Sequence, residues 1–348
     1  MVIQHKCPCC GADMVFHAEK GLLYCESCEY SISVDRMENR TKTESYEEFV
    51  RQTQKNTFQA EEAQQYQCKN CGAVLITDAD TTATSCGYCG APMILGDRLS
   101  GDLAPSKVIP FQISKEQAQT AFKKWCKRSL FMPTKFKSAD RLKSMTGMYV
   151  PFWLYDLNTQ GTVYADCTKR ESYRQGKYRI EKTHYYDVYR DVDLNFLKVP
   201  ADASKKMDDK VMDLLEPYDY SQLRDFNTPY LSGYLAEKYN YTDEEMFPRV
   251  QKRAADDTMS YIKSTLREYS SVKYKNQKIS IWPKDVHYAL LPVWMLCFDY
   301  ENTERNFIMN GQTGKIIGKP PISKGKVVKW YFIFALIIYV ILMLTNVT

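Results

Sequence analysis

The chain has 348 residues, too many for one small domain and enough for two or three folded units. With 26 Tyr, 15 Phe and a charged fraction of 26%, it is not a disordered or low-complexity polymer and should fold around a real core. A net charge of +5 excludes an extreme polycation or polyanion, so any charged partner has to be read from where the charges cluster.

The opening residues, MVIQHKCPCCG, contain no apolar run of the kind that makes a secretory leader. The twelve cysteines are therefore expected in a reducing compartment, where paired C-x-x-C knuckles mean metal rather than disulfides. Cys7 and Cys10 are followed, after 14 residues, by Cys25 and Cys28, and Cys68 and Cys71 are followed after the same 14 by Cys86 and Cys89. Each first knuckle runs on into Gly-Ala (Gly11-Ala12, Gly72-Ala73), so the pattern is an internal duplication with a 61-residue offset. Two knuckles joined by a hairpin complete a tetrahedron of four thiolates, which suits zinc and leaves no open position for a catalytic water. Binding energy on the order of 10–16 kcal/mol would fold modules too small to bury a core of their own. Two zinc ribbons are predicted, at 1–34 and 67–94, with one zinc ion each. Cys9 is an alternative ligand that the second repeat does not favour, and His5 and His17 are read as surface residues. Cys126, Cys167 and Cys297 read as small buried apolar side chains.

Both ribbons have an acidic skin. Residues 7–28 hold Asp13, Glu19 and Glu26 against Lys20, and residues 68–89 hold Asp78 and Asp80 against Lys69. Each four-thiolate zinc centre adds a formal −2, whereas a phosphate-binding surface needs the opposite sign. This favours protein docking. Residues 35–66 between the ribbons read as a polar, partly helical linker, in which Tyr46, Phe49, Val50 and Phe58 form a weak apolar stripe.

Residues 95–325 are expected to form an α+β body, strand-rich with a helical insert. VIPFQI (108–113) reads as a strand, and the capping box Ser114-Lys-Glu-Gln117 starts a helix running to about Leu130. From Met148 to Phe196 the alternation of β-branched or aromatic with polar residues predicts a meander of strands. Residues 204–270 read as helical, including TPYLSGYLAEKYN, and strands return over 287–317 with tight turns at Asn310-Gly311 and Thr313-Gly314. Pro151-Phe-Trp153 and Pro292-Val-Trp294 suggest a faint second duplication. No catalytic constellation stands out. His184 and His287 have no nucleophile motif near them, no phosphate-cradling glycine loop is present, and Asp208-Asp209 and Asp256-Asp257 read as solvated helix faces. A non-enzymatic chain is expected.

Trp330 to Thr348 is uncharged, and as a helix it would span about 28 Å, so residues 326–348 predict one C-terminal transmembrane helix. Lys324, Lys326 and Lys329 before it predict a single-pass cell-membrane protein with its N-terminal domains in the cytoplasm. Residues 105–148 carry ten Lys or Arg against Glu116 and Asp140. Of these, Lys123, Lys124, Lys127 and Arg128 are the candidate contacts to membrane lipid or, alternatively, to nucleic acid.

These features resemble a family of bacterial membrane-attached double zinc-ribbon proteins. The resemblance rests on the paired CxxCG knuckles, Val108-Ile-Pro-Phe111, Tyr149-Val-Pro-Phe-Trp153, Tyr230-Leu-Ser-Gly-Tyr-Leu-Ala-Glu237, Leu291-Pro-Val-Trp294 and Asn310-Gly-Gln-Thr-Gly314. Members are labelled after the transcription factor IIB zinc ribbon, and some accompany phage-shock protein A and flotillin-like proteins, which implies membrane-stress scaffolding. The expected function is a membrane-anchored adaptor that recruits cytosolic proteins. The alternative is a tethered nucleic-acid-binding regulator using 105–148.

Overall fold

The computed structural model describes residues 2–37, 63–72, 74–78, 80–86, 91–95, 104–128, 131, 133, 145–300, 303–318 and 322–345. The chain divides into two compact units. One comprises Met1–Val150, Lys206–Lys238 and Leu290–Thr348, the other Pro151–Lys205 and Tyr239–Ala289. Most of the expected linker, 38–62, lies outside the described residues.

The first unit is organised around four aromatic rings. Phe111 stacks on Tyr234 with centroids 4.1 Å apart and meets Tyr149 and Trp294 edge-on at 5.0 and 5.1 Å. The Tyr149 hydroxyl accepts from the Phe111 backbone N–H (3.3 Å), and the Trp294 indole donates to the Ile113 carbonyl (2.9 Å). Burying rings with their polar handles satisfied gives this cluster both area and geometry. Two glycines are shaped to it. A Cβ on Gly147 would stand 2.7 Å from the Tyr234 ring, and one on Gly311 would stand 2.7 Å from the Phe111 ring. Around the rings, Met148 and Tyr149 pair in parallel with Leu235 and Ala236, and Ala236 pairs with Ala83 of the strand Thr81–Ser85.

Helix α1 (Lys115–Arg128) starts at the predicted capping box: Ser114 Oγ accepts from Gln117 N (3.3 Å), and Gln117 Oε1 accepts from Ser114 N (3.0 Å). Its buried side chains are Ala118, Phe122 and Cys126, and Phe122 and Trp125 pack on Phe307. The predicted strand over 108–113 is shorter, at Lys107–Val108. Beyond it, Ile109 donates to Leu290 O, and Gln112 and Ile113 donate to Gly311 O. Helix α2 (Asp209–Leu215) is capped by Asp208, whose carboxylate accepts from Lys210 N and Val211 N.

The predicted helix over TPYLSGYLAEKYN is corrected. The segment is a 3-10 turn, Thr228–Leu231, followed by the strand Leu235–Glu237. Pro229 and Gly233, the latter at φ 87°, break the helical path. That break is what turns Tyr234 into the ring cluster.

The second unit is a hairpin of unusual length with a helix on one face. Strands Thr146–Gln175 and Tyr178–Asp202 pair from Phe152↔Asp202 to Gln175↔Tyr178 across the two-residue turn Gly176-Lys177, with Gly176 at φ 61°. The predicted meander is thus one continuous ribbon, because no Gly, Pro or Asn-rich punctuation interrupts residues 162–175. Helix α3 (Asp243–Thr265) begins with a full capping box between Thr242 and Glu245. It buries Met246, Val250 and Ala254 against Tyr155, Leu157 and Ile281, and Ile262 against Val163, Ala165 and Cys167. Gly161 lets the helix come close, since a Cβ there would meet Thr258 and Val192 at 3.1 Å. The reading of Cys126 and Cys167 as buried apolar residues holds; the side chain of Cys297 lies outside the described residues.

The C-terminal helix α4 (Lys324–Thr345) forms where an anchor was expected, but the transmembrane assignment is corrected: among the described residues no helix is long and apolar enough to cross a membrane. Lys324, Lys326 and Lys329 occupy its first turns. Its described uncharged part begins at Trp330. The single-pass membrane placement, with its cytoplasm-facing orientation, falls with the anchor.

The ring cluster gives a direct test. Gly311→Ala and Gly147→Ala should each lower stability by about 2 kcal/mol in urea unfolding, through overpacking. Gly325→Ala, which meets nothing within 4 Å, should leave the midpoint in place.

Candidate metal centres

In the first ribbon the strands Val15–His17 and Leu22–Tyr24 pair antiparallel (Val15↔Tyr24, His17↔Leu22), which carries the turn before one and the turn after the other to the same end. Those turns hold Cys7 with Cys10 and Cys25 with Cys28. The Sγ atoms of Cys7 and Cys28 are 3.5 Å apart, those of Cys10 and Cys25 are also 3.5 Å apart, and all four lie within 4.8 Å of one another. Sulfurs about 2.3 Å from a central zinc would be separated by about 3.8 Å, so the four thiols fit a tetrahedral shell. Cys9 is exposed and stands outside this group, its N–H directed at Cys7 Sγ (3.4 Å).

The knuckles share one backbone design. Cys7, Cys25 and Cys86 each donate their N–H to the carbonyl five residues on, of Ala12, Tyr30 and Ala91, at 2.7, 2.9 and 2.8 Å. Gly11 and Glu29 close the first two of these turns by donating to Cys7 and Cys25 O, and Gly72 closes the Cys68 knuckle by donating to Cys68 O, each at 2.9 Å. The residue after the second cysteine is left-handed in all three: Gly11 at φ 74°, Gly72 at 72° and Glu29 at 60°. Glycine takes that conformation freely, while Glu29 holds it at a cost on the order of 1 kcal/mol.

The thiols of the first group share their protons unevenly. Burial alone would raise Cys7, but the N–H groups of Cys10 and Cys9 and the thiols of Cys28 and Cys25 bring it down to about 6. Cys28 is helped by the Tyr30 N–H, yet the neighbouring sulfurs of Cys10, Cys7 and Cys25, together with burial, push it up to about 12. Four thiolates this close coexist only around a cation, which is the chemistry of a metal site.

The second group brings together Cys68, Cys71 and Cys86 within 4.8 Å, with Cys71 and Cys86 Sγ 3.7 Å apart. Its fourth predicted member, Cys89, lies outside the described residues. The strands Ala63–Gln67 and Val74–Asp78 frame the first knuckle, and Thr81–Ser85 with Pro92–Leu95 frame the other. Two cysteine-rich groups in this chain can therefore hold metal ions and are compatible with zinc-ribbon-like motifs.

The ribbons are tied to each other through the start of the chain. The strand Val2–Ile3 pairs with the second ribbon, Val2↔Leu95 and Ile3↔Ile94. Val2 is buried with Tyr66, Cys68, Cys86, Ala91, Met93 and Leu95. Gln4 Nε2 approaches Cys68 Sγ at 4.0 Å, and Lys6 Nζ lies 3.3 Å from Asn70 Oδ1. His5, expected at the surface, is buried with its Nε2 3.4 Å from Thr228 Oγ1. Burial pushes its imidazole down to about 4. The short V-I before the polar Gln4-His5 gave no periodicity from which these contacts could be read.

Lys123, Lys124, Lys127 and Arg128 are all exposed on α1, away from its buried Phe122 and Cys126. Of the six other basic residues of that stretch, Lys115 opens α1, Lys107 pairs with Asp225 at 2.7 Å, and Lys135, Lys137, Arg141 and Lys143 lie outside the described residues, as does the apolar stripe of the linker. His184 and His287 sit on strands of the second unit, in register with Lys169 and beside Asp285 respectively.

Val2→Asp should open the edge pairing. Hydrogen exchange at the Ile94 and Leu95 amides should then speed up by at least tenfold, while the Phe16 and Leu23 amides of the first ribbon keep their protection.

No family model and no solved structure matches the chain. It is 50% identical over 331 residues, covering 95% of this chain and 94% of the other, to "Uncharacterized protein YdjG" of Bacillus subtilis (strain 168). At that identity and coverage, the chain belongs to the same family as the Bacillus protein.

Proposed function

We propose that the chain is a non-enzymatic adaptor whose two ribbons each hold one zinc ion and dock protein partners. The carrying observation is the closed group of Cys7, Cys10, Cys25 and Cys28, where the protein supplies all four corners. Such a shell has no vacancy for water or substrate, so the metal serves to fix a surface. In the second ribbon, Cys68, Cys71 and Cys86 with Cys89 would form the matching shell. The acidic skin of both ribbons, deepened by the four thiolates around each ion, suits a basic or apolar protein face and disfavours a phosphate backbone. The shared edge at Val2–Ile3 supports a reading in which the ribbons act as one docking platform.

Purified full-length protein should carry two zinc ions per chain, falling to one in Cys10→Ser/Cys28→Ser. A photo-crosslinking residue at Glu26, exposed beside the first shell, should give protein adducts in cells that disappear in that double variant. One ion in the parent protein, or adducts that persist without the first shell, would refute the adaptor reading.

A further inference from the structure

In the second unit the long hairpin continues beyond its neighbours. The strand that starts at Ser271 is preceded by Ser270, whose N–H donates to Thr168 O (2.7 Å) and whose hydroxyl accepts from Arg170 N (3.0 Å). From Arg170↔Thr183 to Gln175↔Tyr178 the two strands go on as a finger. Six residues at about 3.4 Å each give it a reach of roughly 20 Å, and residues 170–179 are all exposed. A bare two-stranded ribbon is marginal in water, and this one has no core of its own to account for its length.

Its charge is concentrated and two-sided. Residues 169–182 hold six Lys or Arg against Glu171 and Glu181. Directly opposed residues of a ladder share a face, so the register sorts the side chains. Lys169, Lys182, Tyr173 and Tyr178 lie on the face of Cys167 with Glu171, which is directly across from Lys182, and Arg170, Arg174, Arg179 and Tyr185 lie on the other with Glu181, so each face keeps an excess of cations. Arg174 stands directly across from Arg179, a like-charge pair that weakens the ribbon. Among the described residues, one exposed ion pair, Arg179 with Glu181 at 3.7 Å, offsets it. Tyr173, Tyr178 and Tyr185 are exposed at 52%, 77% and 80%.

We propose that this finger enters the major groove of a nucleic-acid duplex, with its two cationic faces turned toward the two flanking phosphate rows. The major groove, about 12 Å wide in B-form DNA, admits a two-stranded β-ribbon. A flat anionic partner, such as a bilayer or an acidic protein face, would engage one side and leave the cations of the other in water. The tyrosine hydroxyls can donate to phosphate oxygens while the rings lie along the sugars. The assignment is independent of the metal shells and of α1, and it goes beyond the adaptor reading.

The test uses full-length protein and a labelled duplex of about 30 base pairs in a salt series. Neutralising about five phosphates should give a log–log slope near −4 to −5. Arg170→Glu/Arg174→Glu/Arg179→Glu should weaken binding at least tenfold, whereas the same three positions changed to Lys should stay within about threefold of the parent. Lys123→Ala/Lys124→Ala/Lys127→Ala/Arg128→Ala should also stay within about threefold, which locates the contact on the finger. Arg174→Ala/Arg179→Ala should leave the thermal midpoint unchanged or higher, separating lost binding from lost fold. The proposal is overturned by no duplex binding at about 50 mM salt, or by an unchanged affinity in the Glu variant. Tighter association with anionic vesicles or polyglutamate than with duplex at equal ionic strength would overturn it too.

Discussion

The first unit depends on the packing around Phe111. Its ring is stacked by Tyr234, met edge-on by Tyr149 and Trp294, and approached by Gly311, and each neighbour comes from a different stretch of chain. The five short motifs that carry no recognisable chemistry, at 108–111, 149–153, 230–237, 291–294 and 310–314, each place one residue in or against this contact. Their physical content is therefore tertiary: they gather residues up to about 200 positions apart into one buried volume, where a single methyl group has no room. Asn310 extends the arrangement. Its amide donates to Leu215 O and its oxygen accepts from Gln312 N and Thr313 N, while Gln312 bonds Asp219 in both directions. A turn and a distant loop are thereby fixed by groups that are themselves satisfied.

The cysteine groups follow a different logic. Their geometry is local, set by a hairpin and a left-handed residue after the described pairs, and each is backed by a small buried set: Met14, Phe16, Leu23 and Ile32 at the first group, and Val2, Tyr66, Met93 and Leu95 at the second. A metal ion held by such a group would add coordination to that small core. The aromatic cluster and the long hairpin rest on area and ladder hydrogen bonds. With metal bound, the chain would join parts whose stabilities respond to different conditions.

What could be read in the sequence follows this division. The knuckles, the capping box at Ser114 and the Asn310-Gly311 turn are short-range patterns, and the structure holds each of the described ones where the pattern pointed; the capping box at Thr242 is equally local and went unread. The long hairpin was legible as β but not as a single ribbon, because alternation gives the strand period and says nothing about where a strand ends without punctuation. The segment from Thr228 to Glu237 read as helical because Tyr, Leu and Ala at those positions fit a helix; the demand that Tyr234 reach Phe111 outweighed that preference. His5 and Val2 carried no signal, since their burial depends on residues some 220 and 90 positions away, respectively. The C-terminal apolar run did predict a helix, and Lys324, Lys326 and Lys329 fall inside it; among the described residues no helix is long and apolar enough to cross a membrane.

The pairing of Val2–Ile3 with Ile94–Leu95 also has a consequence for synthesis. The first strand leaves the ribosome roughly 90 residues before its partner, which at 5–20 residues per second means a wait of about 5–20 seconds. During that interval Val2 and Ile3 are exposed, and the first four cysteines are already available while the second ribbon is incomplete. A metal ion captured early by Cys7, Cys10, Cys25 and Cys28 would fix the adjoining chain in place, and the N-terminal strand would be held near where its partner will emerge. With metal captured in that order, the sequence in which the cysteines are translated would bear on how Val2–Ile3 meets Ile94–Leu95.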